Sequence, residues 1–280
     1  MRIIRIIDEM KNEMRKHRSQ GDIIGFVPTM GYLHKGHLSL IRESVKKNDC
    51  TVVSVYVNPT QFGPGEDYEQ YPRDLDRDAK ILTDEGVDYL FIPKDREMYP
   101  KGYKTYVEVH DLQDVMCGAS RPGHFRGVCT VVLKLFNITK PHRAYFGQKD
   151  AQQAVILKKM IEDLNMDVQI SSLPIVREKD GLALSSRNNL LSPEQREAAL
   201  CLHQSLHGAK KLFAEGEKNS HKIIDMIRNH IEKEKFAKID YVVIVNKNNL
   251  EPLPKIIKGE TLIALAVYIG RVRLIDNIII

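Results

Sequence analysis

Short apolar segments alternate with amphipathic segments through the first two thirds of the chain. The apolar runs have the length and composition of buried strands, and they lie at residues 23–27, 51–57, 89–92 and 143–146. Segments with helical periodicity lie between or after them, at residues 38–47, 75–84, 130–137 and 151–164. This alternation predicts an α/β fold with a Rossmann-like, doubly wound and mainly parallel sheet.

The pattern changes after residue 189, where polar helices precede a group of apolar strands. Ser192, Pro193 and Gln195 form a helix start, with a capping serine, a proline in the first turn and a glutamine three residues after the cap. Helices are predicted near residues 193–214 and 219–234, and strands at residues 241–245, 262–267 and 272–274. We therefore predict two domains, a Rossmann-like one over residues 1–176 and a smaller α+β one over residues 177–280.

The most informative segment is VPTMGYLHKGH at residues 27–37, a predicted strand-to-helix junction. A helix N-terminus presents backbone N–H groups and a partial positive charge, which together attract anions. Gly31 and Gly36 let the backbone approach a ligand closely. His34 and His37, three residues apart, could both donate hydrogen bonds to phosphate oxygens. The segment therefore predicts a phosphate-binding site.

This junction has the glycine spacing of a P-loop without its chemistry. Residues 31–36 carry the two glycines, but His37 and Leu38 replace the required lysine and Ser/Thr. Residues 118–124 repeat the same incomplete pattern. The sequence therefore does not favour a Walker-type NTPase.

Composition and charge narrow the class of protein. The formal charge is only +5, from 42 basic and 37 acidic residues spread along the chain, which does not favour nucleic-acid binding. The four cysteines, Cys50, Cys117, Cys129 and Cys201, are far apart and predict neither a zinc site nor a disulfide framework. No apolar run reaches transmembrane length, and the first residues do not fit a signal peptide. We predict a cytoplasmic protein.

Four motifs taken together resemble the pantothenate synthetase (pantoate–β-alanine ligase) family of HxGH-type nucleotidyltransferases. They are PTMG with HKGH at residues 28–37, VNPTQF at residues 57–62, GQKDAQQ at residues 147–153 and SSRN at residues 185–188. The resemblance extends through nearly the whole chain. It implies ATP-dependent condensation of (R)-pantoate with β-alanine, giving pantothenate, AMP and diphosphate through a pantoyl-adenylate (EC 6.3.2.1). It also implies a cytoplasmic homodimer that uses Mg²⁺ with ATP, with no tightly bound organic cofactor and no nucleic-acid or membrane partner.

The resemblance also implies the roles of individual residues. Catalysis would involve His34, His37, Lys149 and Arg187. ATP would contact Met30, Gly31, Tyr32, Leu33, His34, Lys35, Gly36, His37, Gly147, Gln148, Lys149, Asp150, Val176, Leu184, Ser185, Ser186 and Arg187. Many family members carry Met where Leu184 stands, a volume-conserving apolar change. The smaller domain would carry the SSRN loop and close over the site.

Gln61 and Gln153 are the predicted pantoate-binding residues, and Gln61 would also contact β-alanine. Each amide offers donors and an acceptor to a hydroxy acid and adds no negative charge beside the phosphates. Both follow predicted strand ends, where ligands bind in such sheets. Asn58 and Tyr71 are further candidates for the same pocket.

Several features leave alternatives open. Asp74, Asp76 and Asp78 could bind a metal, or they could stabilise the N-terminus of a helix through their negative charge. His203 and His207, four residues apart, lack a third ligand, which favours a solvated helix face, and the metal ligands stay unassigned. Residues 121–126, which include Arg121, His124 and Arg126, match a family segment and could support the site or the dimer.

Other functions are weighed against this interpretation. A nucleotidyltransferase that adenylates or cytidylylates another small metabolite is the alternative enzyme, but a phosphorylated acceptor would favour extra Arg or Lys in the pocket. An aminoacyl-tRNA synthetase would need a basic tRNA-binding extension, which 280 residues with this charge distribution do not show. A nucleic-acid-binding protein is supported only by the mild positive charge.

Overall fold

The computed structural model describes all residues from 1 to 280. The chain forms two compact units. The first comprises Met1–Gly147 and Ile156–Pro174, and the second comprises Gln148–Val155 and Ile175–Ile280. Residues 148–155, which the sequence assigns to the first domain, thus pack with the second unit, and the division at residue 176 stays a prediction. No helix is long and apolar enough to cross a membrane.

The first unit is built on a six-stranded parallel sheet. Its elements, with helix α7 shared with the second unit, are β1 (Arg2–Ile4), α1 (Ile7–Gln20), β2 (Ile24–Thr29), α2 (Lys35–Lys47), β3 (Cys50–Val55), α3 (Leu75–Asp84), β4 (Tyr89–Phe91), α4 (Asp95–Met98), α5 (Cys117–Ser120), α6 (His124–Thr139), β5 (Arg143–Gly147), α7 (Ala151–Asp163) and β6 (Gln169–Leu173). The strand order is β1-β4-β3-β2-β5-β6, and every pair is parallel. The predicted Rossmann-like α/β fold is confirmed.

The central strands are apolar because both faces of the sheet are covered. Successive residues of a strand point to opposite faces, so Phe26 and Val27 of β2 enter different clusters. Phe26 packs in one cluster with Phe136 of α6, and Val27 packs in the other with Ile41 of α2. β2 is thereby fixed between helices, and the loop that follows it starts from a rigid position.

The second unit joins three helices to an antiparallel sheet. Its elements are α8 (Pro193–Ala198), α9 (Leu200–Ala214), α10 (Ser220–Ile231), β7 (Ala237–Asn246), β8 (Thr261–Ile269) and β9 (Val272–Ile279). β8 lies between β7 and β9, and both pairs are antiparallel. Ser192 Oγ accepts the Gln195 N–H at 3.3 Å while Gln195 Oε1 accepts the Ser192 N–H at 3.1 Å. The predicted helix start is confirmed.

Five elements of the first unit are absent from the sequence-based assignment, namely β1, β6, α1 and the one-turn helices α4 and α5. β1 and β6 are edge strands, and β6 has the sequence QISSL, so neither has the long apolar run of a central strand. α1 is polar except for a narrow stripe that buries Met10 and Met14. In addition, α2 begins at Lys35 rather than residue 38, and α6 begins at His124 rather than residue 130. The HKGH motif therefore lies in the first turn of α2.

Candidate active site

The chain turns sharply between β2 and α2. Gly31 and Tyr32 both have left-handed backbones, with φ of 82° and 51°. A Cβ atom on Gly31 would lie 2.9 Å from Val55 Cγ1, so both conformation and space require glycine there. Thr29 Oγ1 accepts the Gly31 N–H at 3.1 Å and donates to the Ser54 carbonyl at 2.8 Å. The turn is thereby fixed to β3.

A buried carboxylate supports the next part of the loop. Asp78, with 1% of its surface exposed, accepts the backbone N–H groups of Tyr32 at 2.7 Å and Leu33 at 2.8 Å. Burial raises the pKa of Asp78, and the two backbone hydrogen bonds only partly offset this effect. Arg77 donates to the Leu33 carbonyl at 2.9 Å, and its guanidinium lies 5.3 Å from the centre of the Tyr32 ring. The aspartate therefore supports the backbone of the loop.

The two histidines of the motif cap the helix that follows them. His34 Nδ1 accepts the Gly36 N–H at 3.1 Å, and His37 Nδ1 accepts the His34 N–H at 3.3 Å. A backbone N–H can only donate, so in each neutral ring the proton must reside on Nε2. The ring centres are 4.0 Å apart, with an interplanar angle of 30°. The capping hydrogen bonds thus give the motif two imidazole Nε2–H donors close together.

Fewer backbone donors are available to an anion than the sequence suggested. The N–H groups of Tyr32, Leu33 and Gly36 are engaged by side chains of this same unit. The Leu33 side chain is only 1% exposed and belongs to the hydrophobic core. These three N–H groups are therefore already satisfied within the first unit.

Gln61 lies beside Met30 at the end of a short 3-10 helix, Pro59–Gln61. Its amide nitrogen donates to Met30 Sδ at 3.1 Å, and its Oε1 accepts from Asn58 Nδ2 at 3.2 Å. A thioether is a weak acceptor, so this amide can exchange its contact for a carboxylate or hydroxyl at little cost. Asn58 in turn accepts the Tyr99 hydroxyl at 2.8 Å, which fixes its orientation.

A cavity of about 450 Å³ opens next to this loop within the first unit. Met30, Gly31 and Tyr32 line it together with residues that follow β3 and β4. Its walls include Tyr56, whose hydroxyl donates to Asp95 at 2.9 Å. The carboxyl ends of β2, β3 and β4 therefore surround space of the size that small ligands occupy.

In the second unit, Lys149 lies in a 3-10 turn, Gln148–Asp150, immediately before α7. The side-chain amide of Asn277 donates to the carbonyls of Gln148 at 2.9 Å and Lys149 at 3.0 Å. Gln148 Nε2 donates back to Asn277 Oδ1 at 3.2 Å. Gln153 lies in the first turn of α7 and is partly exposed, whereas its neighbour Gln152 is buried.

The predicted SSRN loop follows a tight hairpin in the second unit. Arg177 and Ala183 form an antiparallel bridge, and the Leu184 N–H donates to the Val176 carbonyl at 3.0 Å. Arg177 binds both oxygens of Asp276 at 2.7 and 2.8 Å. The loop then continues as a 3-10 helix, Ser186–Leu190. Ser185 caps it through the Arg187 N–H at 3.2 Å.

The predicted site residues thus fall into two sets. Residues 30–37, Gln61 and Gly147 belong to the first unit. Gln148, Lys149, Asp150, Gln153, Val176, Leu184, Ser185, Ser186 and Arg187 belong to the second. Within each unit, the structure adds supporting residues that the sequence analysis did not single out for this role, namely Asp78, Asp276 and Asn277. Asp276 and Asn277 could have been noticed in the sequence, because they are the polar residues in the otherwise apolar segment LIDNIII at residues 274–280.

Neither metal alternative gains support from the geometry. Asp74 caps α3 by accepting the Arg77 N–H at 3.1 Å, and Asp78 is engaged by the loop as described. His207 is exposed, as expected for a solvated helix face. That expectation is wrong for His203, which packs against Gly181. Burial lowers the pKa of His203. No group of three His, Cys, Asp or Glu side chains in residues 1–280 is arranged to hold a metal ion.

Comparison with known proteins identifies the family. The family model described as pantoate–β-alanine ligase matches residues 2–279. Pantothenate synthetase of Acetivibrio thermocellus is 57% identical over the whole chain, covering 99% of that protein. The corresponding protein of Thermotoga neapolitana is also 57% identical, with both chains fully covered. The chain belongs to the pantoate–β-alanine ligase family. As a pantoate–β-alanine ligase (EC 6.3.2.1), it condenses pantoate with β-alanine at the expense of ATP.

Solved structures of this family have the same fold. The pantothenate synthetase of Thermus thermophilus is 43% identical, with a TM-score of 0.94 and 99% of each chain covered. The pantoate–β-alanine ligase of Francisella tularensis is 36% identical, with a TM-score of 0.81, covering 100% of this chain and 97% of its own. That structure is a complex with β-γ ATP and β-alanine. The resemblance stated from four motifs is confirmed over the full length.

Proposed function

We propose that the ligase reaction of this chain proceeds through a pantoyl-adenylate. A pantoate carboxylate oxygen attacks the α-phosphorus of ATP, and the bond to the bridging oxygen breaks as diphosphate leaves with its electron pair. The β-alanine amine then attacks the acyl carbon, AMP leaves and the amine loses a proton. Adenylation is needed because a free carboxylate has no adequate leaving group. The products are pantothenate, AMP and diphosphate.

The observation that carries this proposal is the histidine pair at the start of α2. Their capping hydrogen bonds leave the proton of each ring on Nε2, and the rings stack 4.0 Å apart. His37 would stabilise the charge that develops on the α-phosphate, while His34 contacts a neighbouring phosphate oxygen. Such preorganised donors can contribute several kcal/mol to a transition state, on the order of 3–4 kcal/mol for one donor.

Positive charge for the triphosphate would come from the second unit. Lys149 is proposed to neutralise the β- and γ-phosphates, and Arg187 with Ser185 and Ser186 to bind the phosphate tail. Residues 30–37 and 147–150 would line ATP, and Val176 and Leu184 would bracket adenine through backbone atoms.

The acid substrates would bind through amides. Gln61 and Gln153 are proposed to hold pantoate, and Gln61 to contact β-alanine as well. The weak thioether partner of Gln61 supports this role, because a carboxylate or hydroxyl oxygen is a better acceptor. Holding the acid against the α-phosphate supplies orientation, which can lower a barrier by roughly 7–11 kcal/mol.

Three further properties are proposed on the basis of the family resemblance. Mg²⁺ would enter as a complex with ATP, because the protein offers no cluster of three ligands and Mg²⁺ is commonly held through substrate phosphates. The active form would be a cytoplasmic homodimer. Small molecules are its proposed partners, with no nucleic acid and no membrane.

Isotope exchange between diphosphate and ATP tests the proposal. Exchange should require pantoate and Mg²⁺ and should proceed without β-alanine, since the adenylate forms first. Exchange that needs β-alanine would exclude a free pantoyl-adenylate. Exchange supported by an unrelated phosphorylated acceptor and not by pantoate would point to a different nucleotidyltransferase.

A further inference from the structure

Charged and titratable side chains surround the main-chain carbonyl of Gln61, outside the segments proposed for ATP. His124 Nδ1 lies 2.8 Å from that carbonyl oxygen, and Nε2 of the same ring lies 3.1 Å from the Arg121 guanidinium. Arg121 itself approaches the carbonyl at 3.4 Å. It is also paired with Glu66 through two contacts of 2.6 and 2.7 Å. We call Glu66, Arg121 and His124 the Gln61 clamp.

These contacts define the protonation of the His124 ring. A carbonyl oxygen can only accept, so Nδ1 must carry a proton. A guanidinium can only donate, so Nε2 must be unprotonated. The clamp therefore requires neutral His124 in one tautomer. A second proton would set N–H against N–H and place two positive charges 3.1 Å apart.

The turn that carries Gln61 is also constrained from its other side. A Cβ atom on Gly127 would lie 2.3 Å from the Thr60 carbonyl oxygen and 2.6 Å from Gln61 Cα, so α6 and the turn touch backbone to backbone. Asn58 Nδ2 donates to the Gly127 carbonyl at 3.1 Å as well as to Gln61 Oε1. A shift of His124, in the first turn of α6, would therefore be passed to the Gln61 amide.

We propose that Glu66, Arg121 and His124 are positioning residues for the acid substrate, and that neutral His124 is the form that holds Gln61 in place. This inference rests on the proposed role of Gln61 in binding pantoate. It goes further by assigning to residues 121–126 a role in binding the acid substrate, and by predicting how the pantoate KM depends on pH.

Of the three clamp residues, His124 is the one whose contacts depend on a particular protonation state of its ring. Burial raises the pKa of Glu66, but the hydrogen bonds and charge of Arg121 outweigh it, so the pKa of Glu66 lies below its ordinary value. Arg121 keeps its charge at all relevant pH values. Cys117 is a further titratable group, and it interacts with Arg121. Histidine side chains commonly titrate between about pH 5 and 8.

Acidification should therefore loosen the hold on Gln61. The KM for pantoate should rise as the pH falls, and the KM for ATP should change less. His34 and His37 are unchanged in every clamp variant, so any contribution of theirs to the pH dependence cancels when variants are compared.

The test compares His124→Leu, His124→Asn and the control His110→Leu, which alters an exposed histidine of the same unit. The asparagine amide can replace the Nδ1–H donor but cannot titrate. We expect His124→Leu to raise the pantoate KM about tenfold or more, with a much smaller effect on the ATP KM. His124→Asn should recover most of that loss, and its pantoate KM should no longer depend on pH as the parent's does.

Two results would overturn the inference. One is an equal loss for pantoate and ATP in His124→Leu with no recovery in His124→Asn, which would indicate a purely structural role. The other is an unchanged pH dependence in His124→Asn. Gln61→Leu, measured in parallel, distinguishes the proposed role of Gln61 from that of the clamp. If Gln61→Leu leaves the pantoate KM unchanged, the proposed role of Gln61 is wrong. If Gln61→Leu raises the pantoate KM but the His124 variants do not, only the role of the clamp is wrong.

Discussion

Asn277 on β9 holds the turn of Lys149 through its side-chain amide, which donates to the Lys149 carbonyl at 3.0 Å and to the preceding carbonyl at 2.9 Å. The adjacent Asp276 binds Arg177 in the hairpin that leads to Ser185. Asp276 and Asn277 are only 2% and 3% exposed. One strand of the small unit therefore supports both segments proposed to bind the triphosphate.

Asn277→Ala should raise the KM for ATP about tenfold, because the Lys149 turn loses both hydrogen bonds that the Asn277 amide donates to it and small misplacements near a reacting centre are costly. Steady-state kinetics with varied ATP would measure this effect. Asn248→Ala, which alters an exposed asparagine of the same unit, is the matched control. A loss of thermal stability without any change in ATP KM would show that Asn277 supports the fold alone.

The histidine pair offers a more selective experiment, because its two ring nitrogens have different tasks. In His37→Asn, the side-chain oxygen can replace Nδ1 as the acceptor of the His34 N–H, but the Nε2–H donor is lost. We expect normal folding and a fall in adenylation of about 100-fold or more, measured by single-turnover formation of the adenylate. His37→Gln, which restores a donor near the Nε2 position, should be less impaired. Equal activity of the two variants would contradict this assignment.

Lys149→Ala should impair ATP use through the loss of positive charge beside the phosphates. Lys149→Arg keeps the charge and should be partly active, although its planar head has a different shape. Lys158→Ala removes an exposed lysine from α7 and serves as the control. The measurement is the dependence of diphosphate exchange on ATP concentration. An unchanged dependence in Lys149→Ala would remove the residue from the proposed site.

Gln153→Leu should weaken pantoate binding more than ATP binding. The substitution keeps the approximate volume but removes both the donors and the acceptor that a hydroxy acid would use. The expected rise in pantoate KM is about tenfold, from the loss of one or more hydrogen bonds to a charged ligand. The separate KM values for pantoate and ATP measure the effect. Equal losses for both substrates would indicate that the variant disturbs α7 instead.

Much of the fold could be predicted because the central strands are long, apolar runs. β2, β3 and β5 are buried on both faces, and the helices between them have clear stripes. The edge strands β1 and β6 have no such signature, since an edge strand is defined by its neighbours rather than by its own composition. The sequence did not predict α1 for a similar reason, because this helix buries only a narrow apolar stripe.

The motifs of the site could be recognised locally, but their supports could not. Asp78 lies 45 residues from Leu33, whose backbone it binds, and Asn277 lies 128 residues from Lys149. Sequence patterns carry little information about such distant pairs. The spacing of His34 and His37 also could not show that they cap α2, because a capping role depends on the residue at which the helix begins.

The junction between β2 and β5 should be sensitive to acid. His142 Nδ1 accepts the Ile24 N–H at 2.9 Å, so the ring must be unprotonated at that nitrogen. Burial lowers the pKa of His142, and the nearby charges of Arg18 and Arg143 lower it further. A histidine with a lowered pKa in the folded state contributes stability that is present above its ordinary value of 6.5 and is lost as the pH falls through the folded pKa.

His142→Asn keeps an acceptor near the Nδ1 position and removes the titration. Between about pH 7 and pH 5, the free energy of unfolding of the parent should therefore fall more than that of the variant, by about 1 kcal/mol, the net contribution of one hydrogen bond. Urea unfolding at several pH values measures the difference. His110→Asn should follow the parent curve, since that histidine is exposed. Parallel curves for His142→Asn and the parent would show that the acid sensitivity arises elsewhere.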